Sequence, residues 1–200
     1  MIDTNTFASY GALESTWNYL HPWGSDHNGT ARMYASSGDH NHVYLESGGV
    51  LVIKASRIDW NEGNSSSPPW LPIRYHSGTV HSKMHVVIND QYPDWEVKGE
   101  FSAPSARGTW PAFWLTGVNS WPPESDILEF KGDNRNWFNT YDGGWARPVR
   151  GHLLQGPQHL RGPQQELVIG RTRASLTVLR SIMASRRRHR RRTATPSVDE

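Results

Sequence analysis

The chain contains no cysteine. That excludes a disulfide framework, a thiolate metal site and a cysteine nucleophile. No window of about 18 apolar residues occurs, which excludes a transmembrane helix. The N-terminal stretch MIDTNTFASYGALESTW has neither a positive n-region nor an apolar h-region, so no signal peptide is visible. The end of the chain has further absences. All 22 Phe, Trp and Tyr residues fall in 1–145, and 147–200 contains no lysine.

The formal net charge of +2 conceals a division. Residues 1–146 carry 9 Lys+Arg against 16 Asp+Glu, a net charge of −7, whereas 147–200 carry 12 Arg against 3 acids, a net charge of +9. Two regions so different read as one domain, 1–145, followed by an Arg-rich tail, 146–200. A body this rich in aromatics is not a disordered chain. Any nucleic-acid or membrane argument rests on the tail alone.

Gly, Pro, Asn and Asp punctuate the body about every eight to twelve residues, between short runs of β-branched and aromatic residues, which predicts an all-β sandwich or barrel. His42–Glu46 and Val50–Ser56 flank Ser47-Gly48-Gly49 and read as a hairpin. Further strands are expected at Gly78–Val87, Trp95–Ser102, Thr109–Thr116, Ser125–Lys131 and Trp137–Tyr141. Trp95–Ser102 alternates, with Glu96, Lys98 and Glu100 on its polar face. Asn61–Pro72 reads as a loop, and no long helix is expected in 1–146. Two glycosylation sequons, Asn28-Gly-Thr30 and Asn64-Ser-Ser66, carry little weight alone.

The most informative stretch is Trp121-Pro-Pro-Glu124-Ser-Asp126-Ile-Leu-Glu129-Phe-Lys-Gly132. On a strand Glu124 and Asp126 share a face, while Glu129 by parity faces away. A β-bulge near Ile127-Leu128 would restore the parity and gather all three carboxylates. Glu124 and Glu129 would then stand roughly 13 Å apart along the strand. Side chains leaning inward can bring two carboxyls to about 5–5.5 Å, the separation used in retaining glycoside hydrolysis. Like charges in one groove raise at least one carboxyl pKa. The plain alternative is a solvated strand face. Upstream, Trp110, Ala112 and Trp114 share a face, and Trp121 precedes the trio. Indole faces stack on sugar rings, although packing is the commoner use of Trp. Trp70, Trp137 and Trp145 are further candidates.

Gly108-Thr-Trp-Pro-Ala-Phe-Trp-Leu-Thr-Gly117 followed by Glu124-Ser-Asp-Ile-Leu-Glu129 resembles glycoside hydrolase family 16, the laminarinase-like β-glycanases. Tyr75-His-Ser-Gly-Thr-Val-His-Ser-Lys83, Tyr92–Pro104 and Val50–Lys54 resemble other segments of that family, so the resemblance covers roughly 5–145. It implies a β-jelly roll of two curved antiparallel sheets, here incomplete at the C-terminus. It implies that Glu124 is the nucleophile, that Glu129 is the general acid/base, and that Asp126 tunes the nucleophile. Trp110, Trp114 and Trp121 would bind substrate. The implied activity is retaining endo-hydrolysis of β-1,3 or mixed-linkage glucans. It also implies an extracellular monomer with a polysaccharide as its partner, and no nucleic acid or membrane. No cofactor is expected, and although some members carry a structural calcium, no ligands for it can be placed here.

The chain departs from the family pattern in places. Ser125 stands where the family usually has an aliphatic residue, and Thr79 where many members have Arg. Family members run well over 200 residues, so activity of this chain is in doubt. A glycan-binding module without turnover is one alternative, and a basic nucleic-acid-binding protein acting through Arg186–Arg192 (RRRHRRR) is another. The tail itself reads as a frameshifted end, a solvated disordered extension or a working basic segment, with no β alternation, so β-structure is expected only within 1–145. The histidine pairs His40/His42 and His81/His85 lack the acidic or thiolate partners of a zinc site and read as surface or cleft residues.

Overall fold

The computed structural model describes residues 2–92, 95–97, 99–137 and 139–141, together with the backbone of two strands at 147–148 and 165–169. In chain order these form helix α1 (Tyr10–Thr16) and strands β1 (Trp17–Tyr19), β2 (Ala31–Met33), β3 (Val43–Glu46), β4 (Val50–Arg57), β5 (Tyr75–Ser77), β6 (Val80–Ser82), β7 (Phe101–Ser102), β8 (Ala112–Thr116), β9 (Glu124–Glu129), β10 (Asn139–Tyr141), β11 (Arg147–Pro148) and β12 (Gln165–Ile169).

The all-β class holds, and every strand pair among the described residues is antiparallel except β2 with β5. A six-stranded sheet has the order β2-β5-β4-β12-β7, with β3 also paired to β4. A four-stranded sheet has the order β11-β10-β9-β8, and β1 pairs with β6. The four-stranded sheet shows two faces. Phe113 packs on Phe101 of β7 at 4.6 Å between ring centroids, while Ala112 and Trp114 on the opposite face line a cleft.

The hairpin is built as its sequence suggests. Glu46 pairs with Val50, and Gly48 and Gly49 turn the chain at φ of 86° and 76°, where a side chain is strained. Gly78 has a different requirement, since a Cβ there would overlap the carbonyl oxygen of His42 and the Val43 side chain. The core beside the hairpin joins Phe7, Leu13, Val43 and Leu51, all at most 3% exposed. Helix α1 enters that core through the fully buried Leu13, with the partly buried Tyr10 packed against it, and Ser9 caps it by accepting a hydrogen bond from the Ala12 amide at 3.2 Å. One buried residue in seven gives no helical period, which is why the sequence reading does not register it.

Several strand expectations need correction. Gly78–Val87 contributes only Val80–Ser82, and Trp95–Ser102 only Phe101–Ser102. Glu96, on the polar face of that stretch, is 8% exposed, and Lys98 lies outside the described residues. The largest correction concerns the tail. Gln165–Ile169 forms β12, which pairs with β4 on one edge and β7 on the other. Its apolar run Leu167-Val168-Ile169 carries no period of two, so the five residues by themselves give no strand signal. Beyond β11 and β12, residues 146–200, including Arg186–Arg192, lie outside the described residues.

A partly buried ion network ties Arg32 of β2 and His76 of β5 to the flanking segments. Arg32 donates to both oxygens of Asp26, at 2.7 and 3.0 Å, and to Glu62 at 2.8 Å; Glu62 also pairs with His76. The Ser66 amide and hydroxyl both donate to Asp26. Arg32 holds the Asp26 carboxyl far below the usual carboxylate range, burial opposes this, and the Ser66 bonds add to the lowering. Its stabilising contribution is therefore present above about pH 4 and is lost as pH falls through the folded value. Asp26→Asn leaves Arg32 partly unpaired, so a loss of about 3 kcal/mol is expected. Thermal unfolding from pH 7 down to pH 2 should show the gap between wild type and variant narrowing only below about pH 4.

Candidate active site

The expected bulge is present. β8 and β9 pair as Ala112 with Glu129 and Phe113 with Leu128, then Trp114 with Asp126 and Thr116 with Glu124, so the register slips at Phe113/Trp114 and Ile127 is the extra residue. The slip turns Glu129 onto the face of Glu124 and Asp126, and all three carboxylates line one cleft of about 1060 Å³. The solvated-face alternative does not describe them, because Asp126 is 7% exposed and Glu129 5%.

The two outer carboxylates are each held by an indole. Trp121 Nε1–H donates to Glu124 at 2.8 Å, and Trp110 Nε1–H donates to Glu129 at 2.7 Å. Both indoles also offer a ring to the cleft, with Trp121 62% and Trp110 47% exposed. Asn139 Nδ2 of β10 spans the remaining pair, 3.2 Å from Asp126 and 3.1 Å from Glu129. Lys131 Nζ stands 3.0 Å from Glu129 and 5.1 Å from the Trp110 ring centre. Asn136 fixes the strand end by accepting from the Glu129 amide and donating to the Ile127 carbonyl.

The electrostatics follow from crowding. Burial raises the Glu124 pKa, and the charges of Asp126 and Glu129 add to the rise, against the Trp121 hydrogen bond and Lys131. Burial also raises that of Asp126, helped by Glu129 and opposed by Asn139 and Lys131. Asp126 thus keeps a proton to higher pH than a free aspartic acid.

All six site residues read from the sequence, Glu124, Asp126, Glu129, Trp110, Trp114 and Trp121, line the same cleft. Of the other tryptophan candidates, Trp70 and Trp137 are exposed away from it, and Trp145 lies outside the described residues. His40, His42 and His81 of the two histidine pairs make structural bonds. His42, read as a surface or cleft residue, is only 9% exposed and bonds to Ser56, while His81 bonds to the Leu20 carbonyl. The sequence reading overlooks His21, Trp23, His27, Lys131 and Tyr141 at the cleft. His-Pro-Trp and Asp-His-Asn sit between strands with no periodic signal, so only their convergence in space marks them.

Carboxylates gathered on one bulged strand beneath exposed indoles define a cleft suited to sugar rings and acid–base chemistry. The chain is 42% identical over 160 residues to the galactan endo-beta-1,3-galactanase of Flammulina velutipes, a match that takes in 80% of this chain and 60% of that protein. A shorter match, 50% identical over 34 residues, links it to the endo-1,3-1,4-beta-glycanase ExsH of Rhizobium meliloti (strain 1021), with 16% of this chain and 7% of that protein covered. The chain is thus a relative of endo-acting β-glycanases, in keeping with its resemblance to glycoside hydrolase family 16. It spans about three fifths of the galactanase, and the likeness runs on past Trp145. No family model matches the chain. Among solved structures, BuGH16Bwt overlaps it with a TM-score of 0.43 and 22% identity over 62% of this chain and 38% of that one. The catalytic domain of PdAgaC overlaps with a TM-score of 0.45 and 21% identity, over 60% and 34% respectively.

Proposed function

We propose that the chain carries the catalytic cleft of a retaining endo-glycanase that cleaves β-1,3-linked galactan, with β-1,3 and mixed-linkage glucans as competing substrates. The observation that carries this reading is the bulge at Ile127, which sets Glu124, Asp126 and Glu129 side by side in a tryptophan-lined cleft.

In the first step Glu124 attacks the anomeric carbon as the bond from that carbon to the leaving oxygen breaks. Glu129 gives its proton to that oxygen, so one sugar chain departs and the other remains as an ester on Glu124. In the second step water attacks the same carbon, Glu129 takes its proton, and Glu124 is released as carboxylate. Asp126, placed between them, orients the trio. Two displacements at one carbon retain the β configuration. A polymeric glycan substrate places the reaction outside the cell.

The test is a panel of β-1,3-galactan, β-1,3-glucan and mixed-linkage β-glucan, with reducing ends counted and the first product followed by proton NMR. Internal cleavage of the galactan giving β product first is expected. Release of α product overturns the retaining assignment, and binding without turnover supports the non-catalytic module instead.

A further inference from the structure

A second aromatic wall closes the cleft, built from the segment between β1 and β2. Reciprocal backbone bonds between His21 and Gly24, at 3.1 and 3.0 Å, tie off a tight turn. The turn presents Trp23, and His21 stacks on its ring at 4.9 Å with planes 6° apart. His27 lies 5.4 Å from Trp23 and 6.1 Å from Trp114, and the two indoles stand 6.0 Å apart. An indole held by three neighbouring rings yet 48% exposed is a rigid platform with an open surface.

The charge of this wall is informative. Burial pushes the His21 pKa down to about 4, with the charges of His27 and His81 adding to it, and burial lowers that of His27 as well. Both imidazoles are neutral at ordinary pH, so each offers one donor and one acceptor. Among the described residues lining the cleft, Lys131 is the one Lys or Arg, and it is paired with Glu129. Thr79 also lines the cleft, so no guanidinium stands there. Against this the cleft holds three carboxylates. A sulfated or carboxylated sugar would meet like charge with no free cation to receive it.

We propose that Trp23, braced by His21 and His27, is a positioning platform for an uncharged sugar ring, and that the cleft selects neutral β-glycans over their sulfated or carboxylated forms. This rests on the glycanase reading and names the kind of polymer the same site accepts. The ring stacks on the Trp23 face while the imidazoles meet its hydroxyls.

Wild type, Trp23→Ala and Trp23→Phe are compared on β-1,3-galactan and on the same galactan chemically sulfated, at low and high salt. Trp23→Ala should raise KM about tenfold with kcat within about twofold, and Trp23→Phe should recover most of the loss. Wild type should cleave the sulfated polymer with kcat/KM at least about tenfold lower, a gap that narrows as salt rises. An unchanged KM in Trp23→Ala, or equal cleavage of sulfated galactan at low salt, overturns the proposal. Should no glycan be cleaved, the glycanase reading fails by itself. Calorimetric binding of β-1,3-galacto-oligosaccharides then decides the platform, with about tenfold weaker binding in Trp23→Ala supporting it and equal binding overturning it.

Discussion

Glu124→Gln is expected to lower kcat/KM on β-1,3-galactan by about 10³- to 10⁴-fold while the protein unfolds at the same temperature or a slightly higher one. The amide keeps the shape of the carboxyl and an oxygen that can still accept from Trp121 Nε1–H, so the 2.8 Å contact need not be lost. It cannot attack the anomeric carbon. The substitution also removes a charge that is disfavoured in the folded protein by burial and, to a lesser extent, by the neighbouring Asp126 and Glu129. Glu129→Gln should cost about 10²- to 10⁴-fold on the polymer, but much less on an aryl β-glycoside whose phenolate leaves without a proton. That contrast separates the two roles. Kinetics of both variants on both substrates check the assignment, and galactan cleavage that survives Glu124→Gln removes it as nucleophile.

Ending the chain at residue 164 is expected to abolish cooperative unfolding and leave the protein insoluble. β12 occupies an interior place in the six-stranded sheet, where Gln165–Ile169 pair with Leu51–Ala55 of β4 and Val168–Ile169 pair with Phe101–Ser102 of β7. Without it β7 loses its neighbour in the sheet and β4 exposes a row of unpaired amides and carbonyls. Open strand edges of this kind template aggregation. A single substitution should act in the same direction, because Leu167→Pro removes a ladder donor from an interior strand at a cost of about 3 kcal/mol or more. Differential scanning calorimetry and sedimentation of 1–200, 1–164 and Leu167→Pro check this. A soluble 1–164 protein with a sharp transition would show that β12 is dispensable.

The sequence by itself determined the β class, the hairpin of His42–Glu46 and Val50–Ser56, and the carboxylates and indoles that line the cleft, because each rests on local chemistry. Gly48-Gly49 permits one kind of turn, and a period of two permits one kind of strand. Glu124-Ser-Asp126-Ile-Leu-Glu129 carries one residue too many for its three carboxylates to share a face on a regular strand, so a bulge near Ile127-Leu128 is readable as the condition for gathering them, and the pairing with β8 places it at Ile127. What the sequence could not supply was convergence. His21, Trp23 and His27 reach the cleft only because β1 pairs with β6, β2 with β5, and the turn between β1 and β2 is thereby set over Trp114. Asn139 meets Asp126 and Glu129 because β10 lies beside β9. β12 becomes a strand because β4 and β7 offer it two edges, not because its five residues announce one. The tertiary structure decided these features for a common reason: strand pairing is a contact between distant segments, and its free energy belongs to the pair and to no single stretch of chain.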